Sequence, residues 1–269
     1  MLKRMLAALF LAGAPVLVAA QGFDHSHAAW ETLLGKHVRP ISNGNASQVD
    51  YQGFVQDRNT LQAYLKSLSA VSAEEYAGWN KAQKFAFLAN AYNAFMIEKI
   101  LTRYPNLKSI RDFGNYIGNP WKDKFFTLLG KAQNLDGIEH DTLRVPGAFD
   151  DPRVHVAVNC ASIGCPMLGT HAFTAEKLDP QLDDLFKRFM SDRSRNRYNA
   201  KTHAVEISHI FDWYGKDFAQ GNKGFASVAD VAARYADQLA DAPDDRTVLR
   251  EKKASITFLE YDWSLNDVK

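Results

Sequence analysis

The longest apolar periodicity in the chain runs from about Asn80 to Tyr104, with Phe85, Leu88, Tyr92, Phe95, Met96 and Ile100 among residues that cover nearly every helical face. A helix apolar all round is a buried one, and Pro105 cannot continue it. Shorter stripes flank it. Ser26 precedes Trp30, Leu33, Leu34 and Val38 as an N-cap before a helix, and Leu61, Tyr64, Leu65 and Leu68 mark a second. Val49-Asp50-Tyr51 reads as a short strand. Phe125 to Leu129 and Gln133 to Leu135 read as a hairpin about Gly130-Lys131.

Downstream, Asp136 is expected to cap a short helix through Arg144, with Glu139 as its reciprocal partner. The valines of Arg153 to Asn159 predict a strand. Thr174 is expected to cap the amphipathic helix carrying Leu178, Leu182, Leu185, Phe186 and Phe189. Val205 to Ile207 predicts a strand, Ser208 a cap for Ile210 to Phe218, and Ser227 a cap for Val228 to Leu239. Ser255 to Tyr261 alternates as a last strand. Helices and strands intermix without a βαβ rhythm. The expected fold is therefore α+β, a single domain with a largely antiparallel sheet around a buried central helix.

The first residues change the picture of where this domain works. Lys3 and Arg4 precede an apolar run from Met5 to Val18, and Val18-Ala19-Ala20 offers small residues for cleavage. The run is shorter than the roughly 20 residues of a membrane span. Residues 1–20 read as a cleaved signal peptide and 21–269 as the domain, in the periplasm or secreted. Losing Lys3 and Arg4 leaves 30 of the 32 basic residues against 31 acidic ones. That balance argues against nucleic acid or an anionic membrane as partner, and no membrane span remains after cleavage. The expected partner is a small-molecule or peptide substrate, and no cofactor or metal is expected. The basic stretch Arg193-Ser194-Arg195-Asn196-Arg197 reads as a solvated loop.

Three places carry candidate chemistry. Asn90 and Asn93 share a face of the central helix with Gln83, and buried amides need hydrogen-bond partners. They either pin a loop or line a site. In the expected strand, Val154, Val156 and Val158 make one face and His155, Ala157 and Asn159 the other. Cys160 follows, then Ala161-Ser162-Ile163-Gly164-Cys165. These two cysteines are all the chain has. In an oxidising compartment they form a small disulfide or are kept as thiols for a purpose. The third place is Glu139-His140. His209 and Asp212 lie one turn apart, without a third metal ligand in evidence.

Taken together, several separated segments form a pattern. They are Asn90-Ala91-Tyr92-Asn93-Ala94, Ile138-Glu139-His140 with Leu143-Arg144, and His155-Val156-Ala157-Val158-Asn159-Cys160-Ala161-Ser162 with Gly164-Cys165-Pro166. Ile210-Phe211-Asp212-Trp213-Tyr214 and Tyr261-Asp262-Trp263-Ser264-Leu265-Asn266 complete it. The chain from about Trp30 to Asn266 resembles the domain of unknown function 547 family. The resemblance implies that these motifs are the family's hallmarks, and it implies no reaction.

Two classes of function stay open. One is a thiol-dependent hydrolase or acyl transferase acting on a peptide or amide of the cell envelope, distantly papain- or transglutaminase-like. Cys160 would be its nucleophile, His155 or His140 its base, and Glu139 the group orienting the imidazole. Asn90, Asn93 or Asn159 would donate to the oxyanion, with Ser162 and Cys165 completing the substrate-binding set. A redox variant uses Cys160 and Cys165 as an exchangeable pair. The other class is a binding or scaffolding domain whose polar centre holds a loop-rich fold together.

Overall fold

Asn80 and Gln83 begin the central helix by a reciprocal exchange: the Gln83 amide donates to Asn80 Oδ1 at 2.9 Å, and the Asn80 amide to Gln83 Oε1 at 3.0 Å. Gln83 is thereby engaged at the cap and does not join the polar face of Asn90. The helix spans Lys81–Leu101, and every residue from Phe85 to Ile97 is buried. The computed structural model describes residues 22–114 and 119–268, so the expected signal peptide lies outside the described residues. Helices Tyr51–Gln56 and Arg58–Ala70 and the turn Leu135–Ile138 pack on the central helix, and Ala28–His37 packs on the first two. One apolar cluster runs from Trp30 to Leu265. No helix among the described residues is long and apolar enough to cross a membrane.

Strands are short and dispersed. Val38–Ile41 pairs antiparallel with Ala46–Val49, and Phe126–Leu128 with Lys131–Gln133. The second hairpin turns through Leu129 and Gly130, both at positive φ, as a tight two-residue turn requires. The third sheet is mixed: Arg197–Asn199 runs antiparallel to Ala204–Ser208, which pairs in parallel with Ser255–Leu259. The fold is α+β, with its strands in three small sheets.

Several local expectations fail for identifiable reasons. Val154–Ala157 is one turn of helix, not part of a strand. All four residues are buried, so their valines satisfy tertiary packing and β propensity yields to it. Asp50 does not extend a strand; its side chain accepts from Gly53 as the N-cap of Tyr51–Gln56. Asn134, not Asp136, caps Leu135–Ile138 by accepting from Gly137 at 2.6 Å. The helix Leu178–Ser191 starts at Lys177 rather than Thr174, and Ala28–His37 starts at His27 rather than Ser26. Ser227 does cap Val228–Arg234. The arginines of the basic stretch are engaged rather than solvated: Arg193 donates to Leu239 O, Arg195 to Cys165 O, and Arg197 to Glu206.

Candidate active site

The C-terminal tail brings the site together. Ile163 and Gly164 donate from their backbone to Ser264 O and Asp262 O, each at 2.8 Å, and Asn266 donates to Ala161 O. A Cβ on Gly164 would lie 3.0 Å from Asp262 N and from the Tyr261 ring, so any side chain here would have to push the tail back by a few tenths of an ångström. Ala161 sits at φ 60°, turning the chain sharply after Cys160. Tyr261 and Trp263 are thus laid against the cysteine loop.

The loop opens on a cavity of about 250 Å³. Cys160, Cys165, His155, Glu139, His140 and Asp136 line it, and Tyr92, Trp121, Trp213, Tyr214, Tyr261 and Trp263 supply much of its aromatic wall. The Cys160 sulfur lies 2.9 Å from the Tyr261 hydroxyl and 3.0 Å from Ser162 Oγ. The Cys160 amide donates to Cys165 Sγ at 3.0 Å, and both thiols are free. Burial alone would push the Cys160 thiol up, but hydrogen bonding from Cys165, Ser162 and Tyr261 outweighs it and brings it down to about 7. Burial pushes Cys165 the other way, well above the ordinary thiol range. No imidazole among the described residues lies within hydrogen-bond distance of the Cys160 sulfur.

His155 is held from another direction. Its Nε2 lies 2.7 Å from Asp217 Oδ2, and its ring stacks on Tyr214 at 4.1 Å between centroids. Arg144 donates to the same carboxylate through Nε at 2.6 Å and to His140 Nδ1 through a terminal nitrogen at 2.6 Å. Burial holds the His155 imidazole down to about 4, against the pull of Asp217. Asp217 is also partly buried, which would raise its carboxyl, yet bonds from His155 and Arg144 hold it far below the usual range.

Glu139 and His140 come from a wide turn, Glu139–Leu143, in which the Arg144 amide donates to Glu139 O at 2.9 Å. Such single-turn widenings of a helix recur at functional sites. The turn leaves Glu139 as no cap partner; it is 7% exposed and lines the cavity. Its carboxylate stands 3.8 Å from His140 Nδ1 and 4.0 Å from His155 Nδ1. Asp217, not Glu139, is therefore the carboxylate at hydrogen-bond distance from the imidazole. Burial pushes the Glu139 carboxyl up.

The structure gathers Cys160, His155, His140, Glu139 and Cys165 at one cavity and sets the asparagines apart. Asn90 bonds both ways with the Phe173 backbone. Asn93 donates to Ala157 O and accepts from the Asn159 amide, and Asn159 donates to Pro166 O. All three amides pin loops, and none lines the cavity. Ser162 is buried beneath Cys160 as its hydrogen-bond partner. Asp217 is the residue that residue patterns missed: it lies in a short turn, Asp217–Ala219, outside every quoted motif. Tyr214 and Tyr261 lie inside the quoted motifs, which was the available signal.

No curated protein and no solved structure matches the chain. A family model described as a protein of unknown function, DUF547, matches residues 76–190, a segment holding the central helix, Glu139, His155 and both cysteines. That segment belongs to the DUF547 family.

Proposed function

We propose that the protein is a thiol-dependent hydrolase or acyl transferase acting on an amide or peptide in the cell envelope, reached through cleavage of residues 1–20. One observation carries this reading: Cys160, hydrogen-bonded by Tyr261 and Ser162, lines the same cavity as an imidazole anchored to Asp217. The hydroxyls stabilise the thiolate, so it needs no direct imidazole partner. The thiolate attacks the carbonyl carbon, the C–N bond breaks, and the leaving amine takes a proton from solvent. Water then attacks the thioester and gives its proton to His155 Nδ1 as the C–S bond breaks. The imidazolium then returns that proton to solvent. An acceptor amine in place of water gives acyl transfer.

The test is acylation by an activated ester followed by mass spectrometry. An acyl group is expected on Cys160 that disappears with time, and more slowly in His155→Ala. Acylation elsewhere, or an unaltered protein, would overturn the reading.

A second reading, thiol–disulfide exchange, is favoured by the 3.0 Å contact of the Cys160 amide with Cys165 Sγ, which sets a buried second thiol beside a more exposed one. Its test is the reduction potential of the pair. A value below about −300 mV marks a structural disulfide and removes this reading.

A further inference from the structure

The cavity's charge and its rings point to one class of substrate. Asp136 and Glu139 line it, and no lysine or arginine does among the described residues. Among the described residues Asp136 is lightly engaged, by Asn119 Nδ2 at 3.4 Å and His140 Nε2 at 3.7 Å. Glu139, more than nine-tenths buried, is poorly matched. The His140 Nδ1 beside it accepts from Arg144, because a guanidinium only donates. The His155 Nδ1 beside it carries no proton in the neutral ring, because Nε2 donates to Asp217. Apart from the Tyr92 hydroxyl, nothing among the described residues offers a hydrogen to a carboxylate with about four acceptor sites.

The wall is built to complement such a donor. Two of its rings already hold a protein guanidinium: Arg144 lies 4.5 Å from the Tyr214 centroid, and Arg111 4.6 Å from that of Trp263. Trp121, Trp213 and Tyr261 hold none among the described residues, and Trp213 is 43% exposed. Indole faces attract cations most strongly. An anionic substrate would meet two carboxylates here.

We infer that the cavity takes an acyl substrate bearing an ammonium group, held by Asp136 and Glu139 against Trp121 and Trp213. The placing of its carbonyl at Cys160 rests on the nucleophile reading above; the ammonium site does not.

Tryptophan fluorescence of the purified protein, titrated at neutral pH with n-butylammonium or with the uncharged 1-butanol, tests this. Butylammonium is expected to saturate at a concentration at least about tenfold lower. Asp136→Asn and, from a separate element, Trp121→Leu are each expected to narrow that ratio. Equal midpoints, no saturation by butylammonium, or a ratio untouched by both substitutions would overturn the inference. A parallel reaction with neutral methyl methanethiosulfonate keeps the two readings apart. Modification of Cys160 with equal midpoints defeats the ammonium site alone, whereas butylammonium selectivity with an unreactive Cys160 supports the site and defeats the nucleophile.

Discussion

His155 Nε2 and Asp217 Oδ2 stand 2.7 Å apart, and that one contact fixes the protonation pattern of the imidazole. The carboxylate can only accept, so the ring proton sits on Nε2 and the bare Nδ1 is the side near Glu139. Arg144 grips the same carboxylate and keeps it ionised. A base needs such an orienting partner more than it needs contact with an already stabilised thiolate.

Asp217→Asn should therefore damage turnover of the acyl-enzyme more than its formation. An asparagine can present its own NH₂ to Nε2 and move the ring proton to Nδ1. Deacylation at Cys160 is expected to slow by about 10²- to 10⁴-fold while the acylation rate changes far less. The check is the time course of the Cys160 adduct by mass spectrometry, with a thermal melt to confirm folding. Equal slowing of both steps would remove the orienting role.

Tyr261 makes the shortest contact with the Cys160 sulfur, at 2.9 Å, and its hydroxyl lowers the thiol's pKa. Alkylation of Cys160 by iodoacetamide should follow a titration centred at about 7. In Tyr261→Phe the midpoint should move up toward the ordinary thiol value of about 8.5. A midpoint that stays in place would mean that Ser162 and Cys165 suffice.

Much of the fold was legible because burial is written in composition. The apolar run of the central helix and the Ser227 cap were readable from residue order alone. The segment around His155 was not, since Val154 and Val156 pack as well in a helical turn as in a strand and only the surrounding core decides. At the site, His155 and Cys160 emerged from the sequence, but the strand expected to carry His155 up to Cys160 is absent. Asp217 is invisible in sequence because nothing within its own turn marks it; it becomes functional through contacts 62 and 73 residues away.

Asn93 is a polar residue of the core whose amide ties two parts of the backbone together. It donates to Ala157 O and accepts from the Asn159 amide, both at 2.8 Å, and so joins the central helix to the segment before Cys160. Asn93→Ala would strand two buried backbone groups at about 1–3 kcal/mol each. Denaturant unfolding should show a loss of about 2–6 kcal/mol. Unchanged stability with lost acylation would instead restore Asn93 to the site.

The burial of His155 also sets an acid limit on the fold. Its imidazole is held down to about 4 in the folded state, against 6.5 for the free group. Between those values the unfolded chain binds a proton that the native protein does not, so stability is full above about 6.5 and declines as pH falls toward about 4. Asp217 remains ionised throughout that window, being held well below it. His27, held down to about 4 chiefly by burial, adds a decline of the same sign, whereas Glu139, pushed up, loses stability as pH rises. Comparing wild type with His155→Gln cancels both background effects. The wild-type curve of unfolding free energy against pH should be steeper by up to about 1.4 kcal/mol per pH unit between about 4 and 6.5. Parallel curves in urea melts across that range would show that His155 titrates alike in both states, and the buried, Asp217-bound neutral imidazole would have to be abandoned.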